Sequence, residues 1–177
     1  MNYYPNILLI AGNGRNVGKT TLACRVIAQL AKTTEVYAVK ISSHFHVLDK
    51  EADILMETSD CCIVNETLDS SKDSSRMLKA GATTVFYVQC KNEHLPVMFE
   101  QLRQLLPMDK PLIIESGGLY NILEPSIFYY IRGKDTSKEK LVREGRSRIN
   151  VTPDEAAGLD IEKIAFINGG ITKTKQS

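Results

Sequence analysis

The stretch IAGNGRNVGKTTLA, residues 10–23, decides how the chain reads. A phosphate-binding loop carries Gly, four residues, then Gly-Lys-Ser/Thr. Gly18-Lys19-Thr20 supplies the end of that pattern. Its first glycine falls on position 13, which is Asn13, with Gly12 and Gly14 on either side. The apolar run NILLIA (6–11) leads into the loop and reads as a buried strand. Beyond it, Leu22, Ala23, Val26, Ile27, Leu30 and Ala31 fall on one face of a helix. Strand, loop and helix are the context the motif requires. Asn tolerates left-handed backbone angles better than other side chains, so Asn13 is expected to take such a conformation.

Further strands are expected at EVYAVKI (35–41), TTVFYVQC (83–90), PLIIES (111–116), IFYYIR (127–132) and IAFI (164–167), and CCIV (61–64) is a weaker apolar segment. Residues 70–82 read as a short helix, with Ser70 and Asp73 at capping-box spacing and Gly81 as its stop. Leu95–Leu106 reads as an amphipathic helix with Met98, Leu102, Leu105 and Leu106 together and Pro96 in its first turn. Residues 133–148 are charged and read as a surface loop or short exposed helix, and the tail 172–177 as mobile. Strands that alternate with helices pair in parallel through right-handed crossovers. The expectation is one α/β domain over 1–177: a doubly wound, mostly parallel sheet with helices on both faces.

Composition narrows the function. A chain of 177 residues, 43% hydrophobic and 24% charged, can build one core. A net charge of +1 offers no global attraction to nucleic acid or to a membrane surface. The N-terminus lacks a secretory pattern, and no apolar run approaches the roughly 20 residues of a span. A cytoplasmic protein is expected. Cys24, Cys61, Cys62 and Cys90 form no C-x-x-C pair, and reduced thiols are expected.

The loop's chemistry follows from its residue types. Backbone N–H groups over residues 12–21 (Gly12, Asn13, Gly14, Arg15, Asn16, Val17, Gly18, Lys19, Thr20, Thr21) would wrap phosphates at a helix N-terminus. Lys19 would place an ammonium on the β/γ-phosphates, and the Thr20 hydroxyl would ligate Mg2+. Arg15 either adds charge to the phosphates or is solvated. Glu115 ends an apolar strand at the ligand edge, where it holds Mg2+ or polarises a water, or else is a plain strand-end carboxylate. Asp73 either approaches the metal or only completes a cap. Lys40 ends a strand and could meet phosphate or substrate; Arg76 faces an anion or solvent. His44 and His46 would point to one side of an extended segment, toward a metal or anionic ligand, or are surface residues. His94 reads as the start of a helix. No Asn-Lys-x-Asp stretch marks guanine, so ATP and GTP are not distinguished.

Several pieces together resemble the MobB-type adapter family of molybdopterin-guanine dinucleotide biosynthesis. Gly18-Lys19-Thr20-Thr21-Leu22 matches its loop, and Lys40 before Ile41-Ser42-Ser43-His44-Phe45-His46 is similar to its strand ending in Lys and His-rich stretch. Residues 72–82, KDSSRMLKAGA, match its Lys-Asp-Ser/Thr, Arg and Ala-Gly-Ala elements. Glu115-Ser116-Gly117, Pro125 and the strand ending at Arg132 come next in the same order. The histidine spacing, Asn13 and the segment after Arg132 depart from the family's pattern. The resemblance implies a P-loop NTPase domain, a homodimer, slow GTP or ATP hydrolysis with Mg2+, and molybdopterin-handling enzymes as partners. Catalysis would fall to Lys19, Glu115 and Asp73, and the metal to Thr20, Glu115 and Asp73. The alternative is an ATP-dependent small-molecule kinase or ligase that resembles dethiobiotin synthetase, in which Lys40, His44 and His46 line an acceptor pocket. A third reading is a nucleotide-sensing module that binds a protein through residues 133–148.

Overall fold

The structure is a computed structural model and describes residues 2–67, 69–134 and 148–174. Strand β1 (Asn2–Gly12) is the centre from which the rest is ordered. Ile7, Leu9 and Ala11 pack into one apolar cluster, and Leu8 and Ile10 pack into the other. That alternation puts core on both faces of the strand, as a parallel sheet demands.

Helix α1 (Lys19–Leu30) covers the second face with Leu22, Ala23, Val26, Ile27 and Leu30. Burying each of the larger ones contributes roughly 1.5–3 kcal/mol. Its N-cap, Gly18, makes no side-chain cap bond, a deficit of roughly a few tenths of a kcal/mol. Packing therefore wins, and the first N–H groups of a helix such as α1 find no acceptor within the helix itself.

The remaining strands of the main sheet are β2 (Tyr37–Ser42), β3 (Asp53–Glu57), β4 (Cys61–Asn65), β5 (Thr84–Cys90), β6 (Leu112–Glu115), β7 (Leu123–Ile131) and β8 (Arg148–Val151). With β1 they form one sheet in the order β3-β4-β5-β2-β6-β1-β7-β8. β3, β4 and β5 pair antiparallel, and the remaining neighbours pair in parallel. Helix α2 (Asp73–Lys79) joins α1 on one face through Met77. Helix α3 (Leu95–Gln104) covers the opposite face with Leu95, Met98, Phe99 and Leu102. The expected architecture of a mostly parallel sheet with helices on both faces is thus present.

Several expectations need correction. The cap between Ser70 and Asp73 does not form: the Ser70 hydroxyl lies 2.7 Å from Ser75 Oγ and accepts the Lys72 N–H. The capping box that does form is Thr152 with Glu155, at the start of α4 (Pro153–Gly158). Leu105 lies just beyond α3 and is exposed. Among the described residues β9 (Ile164–Ile167) pairs with β10 (Gly170–Lys173) and not with the main sheet, in a separate hairpin. β10 takes in Thr172 and Lys173, two residues of the tail expected to be mobile. Cys61 and Cys90 face each other across β4 and β5, 4.2 Å apart at Cα, and are joined as a disulfide rather than left as thiols. Residues 135–147, most of the charged stretch, lie outside the described residues. No helix among the described residues is long and apolar enough to cross a membrane.

Candidate functional site

The parallel register assembles the site. Glu115 ends β6, opposite Ile10 of β1 on one side and Lys40 of β2 on the other. The loop that leaves β1 at Gly12 therefore starts two residues beyond Glu115's neighbour. Three chain segments converge at the carboxyl edge of the sheet, where α/β folds hold ligands.

The loop is shaped by close approach and by two left-handed residues. Gly12 passes so near β7 that a Cβ would lie 2.5 Å from the Ile131 carbonyl oxygen, so only glycine fits. Positive φ occurs at Asn16 (59°) and Gly18 (93°). Asn13 is not among the residues with positive φ, so the expectation that it serves as a glycine substitute in backbone terms is corrected. Its backbone N–H donates to Ile131 O at 3.3 Å, and its side-chain Oδ1 accepts the Gly133 N–H at 2.6 Å. From Gly18 onward the chain enters α1, whose first closed turn is the Leu22 N–H on Gly18 O at 2.9 Å. Lys19 folds back so that its ammonium donates to the Gly14 carbonyl. Arg15 is exposed.

At the head of α1, the buried Thr20 hydroxyl donates to Glu115 Oε2 at 2.7 Å. The other Glu115 oxygen, Oε1, takes the Lys40 ammonium. Lys40 also reaches Asp73 Oδ2 at 3.0 Å. Asp73 in turn meets Arg76 at 3.3 Å, and Arg76 donates to the Thr21 hydroxyl at 3.3 Å. Glu115 is only 2% exposed, so its charge is tolerable because both oxygens are partnered.

The start of α2 is fixed from below. The Ser74 hydroxyl donates to the buried Glu66, and Ser75 is tied to Ser70. Together these bonds aim Asp73 at the cleft. Burial pushes the Asp73 carboxyl up, but the charge and hydrogen bond of Lys40, with Arg76 behind it, outweigh this and hold it below its ordinary range. Cys24, on the same helix as Thr20, goes the other way. Burial raises its thiol against the pull of Arg76, and Glu115 and Asp73 add to the rise, so it stays protonated at neutral pH.

Residues 12–21, Lys40, Asp73, Arg76 and Glu115 line one cleft of about 1500 Å3. Its far wall includes Ser42, Ser43, His44, His46, Asn92 and Leu95, and Gly133 and Lys134 complete it beside the loop. His44 and His46 are exposed, and the His46 backbone is held by the buried Gln89 side chain. Among the described residues no group of three His, Cys, Asp or Glu side chains could hold a metal, so these histidines form no metal cluster. His94 stands apart in a 3-10 turn, 3.8 Å from Asp60.

Sequence reading missed Ser116, Gly118 and Gly133. Ser116 is buried and its hydroxyl accepts the Gly118 and Leu119 N–H groups, which turns the chain after Glu115. A Cβ on Gly118 would meet Leu95 Cδ1 at 2.8 Å and Asn92 Oδ1 at 3.0 Å. The Glu-Ser-Gly-Gly run carried that signal, while Gly133 carried none.

Comparison of the chain with protein-family models, curated proteins and solved structures finds no match.

Proposed function

We propose that the chain is a P-loop protein that binds ATP or GTP with Mg2+ and hydrolyses it slowly. One observation carries this reading most: the Thr20 hydroxyl and the Glu115 carboxylate meet at the head of α1, 2.7 Å apart, beside the loop that ends in Gly18 and Lys19. The loop's left-handed Gly18 and the uncapped start of α1 present N–H groups suited to phosphate oxygens. Lys19, Lys40 and Arg76 outnumber Asp73 and Glu115 in the cleft, which favours an anionic ligand.

The oxygens present fit Mg2+ and not a softer metal. Thr20 Oγ1, Glu115 and Asp73 are hard donors. They do not form a full protein cage, and Mg2+ commonly completes its shell with water and substrate phosphate. When bound, the ion would neutralise charge on the transferring phosphoryl group. Lys40 balances the two carboxylates and holds them together. Glu115 would orient a water by accepting a hydrogen bond from it at a carboxylate oxygen. Lys19 binds phosphate oxygens once released from the Gly14 carbonyl.

On this reading the chain would act as an adapter similar to the MobB type, a homodimer that serves molybdopterin-handling enzymes. A second reading has its own support. The cleft exceeds the 300–1000 Å3 typical of a small-molecule site and continues past the loop to Ser42, Ser43 and Asn92. That space suits a second substrate, as in an ATP-dependent kinase or ligase.

Single-turnover incubation with γ-labelled ATP or GTP and Mg2+ separates the two. Slow release of label as inorganic phosphate, without transfer to added metabolites, is expected of the adapter. Stoichiometric transfer to a small molecule would establish the kinase reading in its place. A chain that binds neither nucleotide, with or without Mg2+, would end both.

A further inference from the structure

The loop is held from two sides of the cleft, and the contacts on the β7 side include backbone groups and one side-chain amide. On the β7 side the loop is fixed by the approach of Gly12 to Ile131, by the Asn13 N–H on Ile131 O, and by Asn13 Oδ1 on the Gly133 N–H. We propose that Asn13 is a positioning residue for the nucleoside half of the bound nucleotide; this rests on the phosphate-site reading above. Its amide oxygen fixes the wall formed by Gly133 and Lys134 at a set distance from the phosphate loop.

Three observations carry the argument. First, Asn13 is 5% exposed and lacks a positive φ, so its backbone does not ask for glycine; the side chain is what the position uses. Second, the fit is matched from the other side. A Cβ on Gly133 would lie 2.8 Å from Val17 Cγ1 and 3.3 Å from Asn13 Oδ1, so wall and loop are in direct contact. Third, the strand order separates the two ends of a ligand. Glu115, Lys40 and Asp73 lie on the β6 and β2 side of β1, whereas Gly133 lies past the end of β7 on the other side. A phosphate chain whose reacting end meets the carboxylates can extend its other end along the loop toward Gly133. Tripolyphosphate carries no group beyond its phosphates to set against that wall.

The test compares ligands with and without a nucleoside. Dissociation constants for ATP, GTP and inorganic tripolyphosphate, each with Mg2+, are measured for the wild type, Asn13→Gly, Asn13→Leu and Asn13→Asp. Asn13→Gly restores the ordinary loop pattern, yet nucleotide affinity should fall about tenfold more than tripolyphosphate affinity. Asn13→Leu fills the same volume without an acceptor and carries the same expectation should the glycine variant not fold. Asn13→Asp keeps the oxygen. It should weaken all three ligands through its charge while it preserves the wild-type ratio between them. Equal losses for nucleotide and tripolyphosphate, or wild-type nucleotide affinity in Asn13→Gly, would overturn the proposal. A wild type that binds tripolyphosphate but gains nothing from the nucleoside overturns it alone. A wild type that binds none of the three overturns the phosphate-site reading as well.

Discussion

The two flanks of β1 hold the same loop by different means. On the β6 and β2 flank the contacts are ionic: Glu115, Lys40, Asp73 and Arg76 form a chain of charge-assisted bonds around Thr20 and Thr21. On the β7 flank they include uncharged groups: one backbone hydrogen bond, the close approach of Gly12 to Ile131 and one side-chain amide. Charges can be redistributed when an ion or phosphate arrives, whereas a backbone packed at contact distance cannot shift without cost. The first flank is therefore suited to chemistry and the second to shape. Substitutions should sort accordingly.

Glu115→Gln should have the largest effect. It removes the carboxylate charge but keeps the volume, so hydrolysis should slow about a hundredfold or more while Mg2+-free nucleotide affinity changes little. Pre-steady-state hydrolysis together with equilibrium binding checks this. A larger loss in binding than in turnover would break the assignment of chemistry to this flank. Lys19→Ala would remove the charge-assisted contact to phosphate proposed above and should cost about 1.5–3 kcal/mol of nucleotide affinity. Unchanged affinities for both ATP and GTP in a titration would place the phosphates elsewhere.

On the uncharged flank, Gly12→Ala drives a Cβ to 2.5 Å from a backbone oxygen. The strand end must yield, at about 1–3 kcal/mol of stability by urea unfolding. A neutral result would show that the β7 flank is soft and would dissolve the contrast.

Asp73→Asn should be smallest. The Asp73 side chain is 43% exposed, so solvent screens its pairing with Lys40 and the loss should stay below about 1 kcal/mol at neutral pH. The carboxyl is held below its unfolded value, so its contribution is present above that value. It disappears as pH falls through the folded one. Unfolding curves of wild type and variant should thus converge in acid. A difference that grows on acidification would contradict the Lys40 pairing.

The charged flank was largely legible in the sequence and the uncharged one was not. Lys19, Thr20 and the strand-to-helix context are local, within one stretch whose periodicity changes from 2 to 3.6. Glu115 stood out because an apolar run delivers it to an edge. That Lys40 lies opposite Glu115 depends on register between strands 75 residues apart, which no local pattern states. β3 escaped notice because its residues are mostly exposed and mixed in polarity. β8 (RINV) and β10 (GITK) mix polar with apolar residues, so neither forms the apolar run that marks β6 and β9. Cys61 and Cys90 gave no spacing signal, because antiparallel pairing rather than sequence proximity brings them together. Asn13 was noticed for the wrong reason: its type suggested a backbone role, and its actual partner is an amide 120 residues away.

That distance has a consequence for the order in which the molecule becomes whole. Every charged group around Thr20 is in place in sequence by residue 115, and β1, β2 and β6 can pair before β7 exists. The uncharged clasp cannot close until β7 has been made and laid against β1. During synthesis, a nascent chain would thus carry the electrostatics of its site before it has the shape. Pulse-labelled chains stalled before residue 131 should leave the Asn13 amide open to exchange, and chains that extend past residue 133 should protect it.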